Sequence, residues 1–132
     1  MLEGEYMVVK SVNVNTEETT IKIANIRAEL FSMHRVCKQE PRNWIKSAID
    51  DLYYASFTED EREKRGSIRN AAVSIKEAGH VAYRYDTRYR AKKLFLLSSE
   101  LFEFIGSSEE SKQLKDMSDG ISIGNHYNKT GQ

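Results

Sequence analysis

Cysteine and proline occur once each in these 132 residues, and glycine only seven times. The lone thiol, Cys37, rules out an internal disulfide framework and fits a reducing compartment. One proline and so few glycines exclude an all-β plan, which needs turn residues at short, regular intervals. Net charge is also missing. Twenty basic and twenty acidic side chains cancel, so no overall field draws the protein onto nucleic acid or a membrane surface. No apolar run approaches the ~18 residues that span a bilayer, and the first residues lack the apolar core of a signal peptide. A cytoplasmic protein without membrane contact is the expectation.

Chemistry-bearing patterns are equally sparse. His34, His80 and His126 lie far apart and none has a metal-ligand spacing. Gly66, Gly79 and Gly106 stand singly, so no glycine-rich loop is present to cradle a phosphate. Cys37 follows His34 by three residues, but a buried thiol beside a helix-edge histidine explains that pair without catalysis. The reading is therefore non-enzymatic, with no catalytic residue, no metal and no cofactor.

What the chain does have is helical periodicity. With 39% hydrophobic and 30% charged residues it has the composition of a folded, surface-rich helical protein. Residues 1–16 alternate weakly through Tyr6, Val8, Val12 and Val14 and read as an extended N-terminal arm. Thr16 followed by Glu17 and Glu18 then starts a helix over about 17–39, with Ile23, Ile26, Leu30, Met33 and Cys37 on one face. Glu40-Pro41-Arg42-Asn43 ends it, because proline disfavours helix in the residue before it. A second helix, about 42–57, buries Ile45, Ala48, Ile49, Leu52 and Ala55.

Thr58 with Glu61 three residues on has the capping-box pattern. The third helix starts near 59 or after Gly66 and carries an alanine-rich stripe through Ile68, Ala71, Ala72, Ile75, Ala78 and Ala82. The fourth, about 88–106, turns Leu94, Leu97, Leu101 and Ile105 inward, with Phe95 and Phe102 beside them. Ser107-Ser108-Glu109-Glu110 caps one further short helical stretch through Leu114 and Met117, and the glycine- and asparagine-rich remainder of 118–132 reads as a flexible tail. The expected architecture is all-α: an antiparallel up-down four-helix bundle over 17–106, the N-terminal arm of 1–16 before it, and the short helical extension and tail of 107–132 after it.

Charge is sorted along this chain rather than mixed. Arg84, Arg88, Arg90, Lys92 and Lys93 face only Asp86 within 83–93, whereas 100–119 is acidic. Tyr83, Tyr85 and Tyr89 interleave the arginines. Cations neutralise phosphates and tyrosine rings stack on unpaired bases, so this junction, with Arg69 nearby, is the candidate nucleic-acid surface: Arg69, Arg84, Arg88, Tyr89, Arg90, Lys92 and Lys93. The competing explanation has the tyrosines covering the core rim while the arginines pair with Glu100, Glu103 or another subunit. Sorted charge equally suits a protein–protein adaptor or self-assembling subunit with no nucleic-acid role.

Two resemblances bear on function. Trp44-Ile45-Lys46-Ser47-Ala48-Ile49-Asp50-Asp51-Leu52, the alanine-rich third helix, Tyr89-Arg90-Ala91-Lys92-Lys93 and Ser98-Ser99-Glu100-Leu101-Phe102-Glu103-Phe104-Ile105-Gly106 together resemble the accessory variability determinant (Avd) proteins of diversity-generating retroelements. More distantly they resemble the four-helix proteins encoded in 23S rRNA intervening sequences. The likeness covers about residues 20–106; beyond Gly106 this chain departs from the family's basic helical ending. It implies a homo-oligomer, a pentameric barrel, that binds a reverse transcriptase and its template RNA during mutagenic cDNA synthesis. Arg27 and His34, separated by six intervening residues, loosely resemble the Arg-x(4–6)-His motif of the HEPN ribonucleases, although Ala28 stands where that motif often has a polar residue.

Overall fold

The computed structural model describes residues 13–122, and within them it is all-helical. Five helices follow in chain order: α1 (Glu17–Val36), α2 (Gln39–Phe57), α3 (Glu61–Tyr85), α4 (Arg88–Phe104) and α5 (Ser108–Asp119). Four were expected, so the count is corrected to five. Residues 1–12 of the expected arm and 123–132 of the expected tail lie outside the described residues.

Local chemistry accounts for the boundaries. Thr16 caps α1, its hydroxyl accepting from Thr19 N–H at 3.2 Å. The helix stops at Val36, short of the expected 39, because Cys37 is already extended. Pro41 does not mark the break: α2 begins at Gln39 and holds Pro41 in its first turn, where a missing N–H costs nothing. The α3 cap is likewise two residues later than the Thr58 pattern implies. Asp60 accepts from Glu63 N–H at 3.0 Å, and α3 then runs unbroken through Gly66. Glu63 takes the Tyr54 hydroxyl at 2.8 Å and the Thr58 hydroxyl at 3.2 Å, so the pattern clips α2 to α3. Thr87 caps α4. Gly106, at φ 89°, ends the α4 turn by accepting a left-handed conformation, with Ser107 N–H donating back to Phe102 O and Gly106 N–H to Glu103 O.

Short connections make consecutive helices antiparallel neighbours, and side-chain pairs record the register. Ser74 meets Ser47 across α2 and α3, Ser98 donates to Ala72 O across α3 and α4, and Ser99 meets Ser111 across α4 and α5. Helix α1 packs on α2 and closes the ring only thinly against α4. Two ion pairs span that seam, Lys22–Glu100 at 3.4 Å and Lys93–Glu29 at 3.0 Å.

The predicted stripes form one contiguous core, from Ile23, Ile26, Leu30 and Met33 through Ile45 and Leu52 to Ile68, Ile75, Leu94, Leu101 and Phe102. Burying a side chain of this size contributes about 1.5–3 kcal/mol. The small residues of α3 (Ala71, Ala72, Ala78, Gly79 and Ala82, all buried) let its neighbours approach closely. Helix α4 is buried on two sides. One faces α1 and α3; the other, with Ser99, lies under Ser111, Leu114 and Ser118 of α5. Ser99 donates to Ser111 O at 3.0 Å and Ser98 to Ala72 O at 2.7 Å, so neither buried hydroxyl is left unpaired.

Candidate nucleic-acid interface

The α1–α2 and α3–α4 connections lie at the same end of the bundle, tied together by Asp86. Its carboxylate is 0% exposed and accepts from Arg90 Nη1 and from the backbone N–H of Lys38, each at 2.7 Å. Arg42 adds a bond from Nη2 to Cys37 O at 3.0 Å. In this setting the buried Cys37 thiol is pushed up to about 11, chiefly by burial and then by the Asp86 carboxylate. A thiol held protonated is inert, which agrees with the structural reading of Cys37.

This end gathers Arg35, Lys38, Arg42, Arg84, Arg88 and Arg90, against Glu40, Asp86 and Asp119. The opposite end carries Glu17, Glu18, Glu59, Asp60, Glu61, Glu63, Glu103, Glu109 and Glu110 against Arg62, Lys64 and Arg65. A chain of zero formal charge thus folds so that antiparallel helices collect cations at one pole and anions at the other. Helical up-down order produces this from a sequence in which the basic and acidic stretches alternate.

The seven predicted site residues fall into three groups. Four are held within the molecule, and Tyr89 borders a groove while staying exposed. Arg90 is fixed on Asp86. Lys92 donates to Ser118 O at 2.8 Å, docking the end of α5. Lys93 pairs with Glu29, and that hydrogen-bonded carboxylate raises the ammonium above its ordinary value. Arg69 lies near the other pole, forked on Glu110 at 3.0 and 3.2 Å, donating to the Ser107 hydroxyl and resting over the Phe102 ring. The Arg69 bonds hold Glu110 below the usual carboxylate value. Tyr89 lines a groove of about 300 Å³ between α1 and α4 with Lys92, Lys93 and Leu96.

Arg84 and Arg88 behave differently. Among the described residues neither is paired with a carboxylate; Arg88 lies 5.3 Å above the Tyr83 ring and Arg84 6.0 Å from Tyr85. The three tyrosines are open to solvent, Tyr83 at 48%, Tyr85 at 54% and Tyr89 at 59%. They do not form one platform. Tyr83 borders a cavity with His80, Phe95 and Met117 on the α5 side, whereas Tyr89 borders the α1 side. The pole is therefore rimmed by exposed rings, with unpaired guanidinium groups on two of them. Lys38 and Arg42, brought to this end by the α1–α2 turn, were missing from the sequence-based set because they lie more than forty residues from the junction; only the antiparallel topology joins them.

Among the described residues no group of three or more histidine, cysteine, aspartate or glutamate side chains is placed to hold a metal, and no helix is long and apolar enough to cross a membrane. Comparisons with protein-family models, curated proteins and solved structures find no match to this chain.

Proposed function

We propose that this chain is a non-enzymatic binding subunit whose basic pole takes RNA, and that it serves as an Avd-like accessory protein to a reverse transcriptase, as a homo-oligomer. The observation that supports this reading most is the pair Arg84 and Arg88. Among the described residues they are exposed cations without carboxylate partners, set among exposed tyrosine rings at the pole where cations outnumber acids. Guanidinium groups neutralise phosphates, and the rings offer stacking surfaces worth about 1–3 kcal/mol per base. Arg90, Lys92 and Lys93 extend the field from behind while remaining tied to their own partners, and Arg69 stands apart from it. The resemblance supplies the reverse transcriptase, the template RNA and the pentamer.

The test is fluorescence anisotropy with single-stranded RNA at low and rising salt. Binding that weakens steeply with salt is expected, and R84E/R88E should reduce affinity at least tenfold at low salt while leaving the helical spectrum intact. Absence of binding at low salt refutes the reading.

A second reading, an adaptor or self-assembling subunit without nucleic acid, is favoured by a separate observation. Large apolar side chains stand out from the helices, including Ile21 and Val36 on α1 and Phe57 on α2, each more than half exposed, and the two poles have opposite charge. Oligomerisation lost in R84E/R88E, with RNA binding absent throughout, is the outcome that selects it.

A further inference from the structure

Arg27, midway along α1, is a half-buried guanidinium with no acceptor. Its planar head lies 5.5 Å from the Phe31 ring and 5.1 Å from the Tyr53 ring, its Nε is buried without a hydrogen-bond partner, and among the described residues it forms no ion pair or hydrogen bond. Arg42, the other arginine with a buried orphan Nε, is at least anchored through Nη2. Removing guanidinium N–H groups from water without an acceptor costs about 1–3 kcal/mol, more for a charged group. Ring contacts return about 0.5–2 kcal/mol through the faces of the cation. The buried Nε–H gains nothing from them, and the terminal Nη groups, which are not among the buried orphans, are left to reach for a ligand.

Arg27 borders a groove of about 320 Å³ between α1 and α2, floored by Ile49 and flanked by Phe31, Tyr53 and His34. The carboxylate in the lining, Asp50, is already held by Lys46 at 3.1 Å. Lys46 and Asp50 neutralise each other across an exposed contact, which leaves Arg27 as the groove's unpaired cation among the described residues. We propose that this groove binds a small organic anion, a carboxylate or phosphate attached to a flat apolar body. The oxyanion takes the fork of Arg27, as planar guanidinium groups prefer, with Lys46 as a second, mobile cation. The apolar body lies on Ile49 between the two rings. The volume is at the low end for small-molecule sites, which suits a ligand the size of one substituted ring and excludes a dinucleotide. The site lies on the α1–α2 face and is independent of the Arg84 and Arg88 pole.

Amide chemical-shift titration of the intact protein with phenyl phosphate and benzoate tests this. Saturable shifts confined to residues 27–34 and 46–53 are expected. Inorganic phosphate and benzyl alcohol, each lacking one half of the ligand, should bind at least tenfold more weakly. R27M should abolish saturation, and K46E, at an exposed position that the fold does not need, should weaken binding at least tenfold, whereas R84E/R88E should leave it unchanged. The proposal is overturned if neither ring-bearing anion gives saturable shifts in those segments, or if R27M and K46E both titrate like the parent protein.

Discussion

Gly66 and Gly79 both lie inside α3, and the same substitution should move stability in opposite directions at the two sites. Glycine in a helix interior costs about 1 kcal/mol relative to alanine, through the backbone entropy it loses on folding. At Gly66 an added Cβ meets nothing within 4 Å, so G66A should stabilise by about 0.5–1 kcal/mol. At Gly79 the same carbon would stand 2.6, 2.8 and 3.1 Å from three carbons of the Phe95 ring. Carbon atoms in contact prefer ~3.5–4.0 Å, so the ring must retreat by about 1 Å. It has little room to do so. Phe95 is 2% exposed and packs edge-on to His80 at 5.1 Å. Overpacking of this kind costs about 1–3 kcal/mol, and with two contacts below 3.0 Å the upper half of that range applies. After the propensity gain, G79A should destabilise by about 1–2 kcal/mol, a difference of ~1.5–3 kcal/mol between two chemically identical changes. Urea titration followed by far-ultraviolet circular dichroism reads it directly, at unchanged m-value. The F95A background supplies the control: without the ring, G79A should turn stabilising. The reasoning fails if both glycine variants shift the midpoint the same way, or if the G79A effect survives in F95A.

Three further outcomes follow from the basic pole and its surroundings. D86A removes the acceptor for both Arg90 and the Lys38 N–H, which should cost about 2–4 kcal/mol in urea titration, because one charged and one backbone donor are left without their partner. Native Cys37 should react with iodoacetamide far more slowly at pH 8 than the same thiol in urea, since the anion is the nucleophile. Its pH dependence has a definite sign. The unfolded thiol ionises near its ordinary value of 9.0 and the folded one at about 11, so above pH 9 the unfolded state sheds its proton first. Stability relative to C37A should be constant below that and fall as pH rises toward 11.

Much of the helical frame was legible because its signals are local. Thr16 caps where side-chain oxygen chemistry says it should, and the stripes from Ile23 to Leu101 entered the core as their spacing required. Boundaries went wrong where a longer-range partner replaces a local one. Lys38 has no capping side chain, and the start of α2 is secured by Asp86 from 48 residues away. The fifth helix was foreseen only as an extension, because Ser99 and Ser111 look like surface residues until each supplies the other's hydrogen bond. The candidate site was half legible. Composition picks out the tyrosine–arginine junction, but it does not say that Arg90, Lys92 and Lys93 are committed to Asp86, Ser118 and Glu29. That sorting depends on tertiary contacts, as does the groove beside Arg27.

The thin seam between α1 and α4 has a dynamic consequence. Helices α2 to α5 each pack broadly on a chain neighbour, whereas α1 depends on α2 and on two solvent-exposed ion pairs that contribute little apiece. Opening α1 exposes Ile23, Ile26, Leu30 and Met33 but leaves the broader packing of α2 to α5 in place, so it should cost less than global unfolding. The α1 amides should exchange with deuterium before those of α3 and α4, and added salt should speed that exchange by weakening Lys22–Glu100 and Lys93–Glu29.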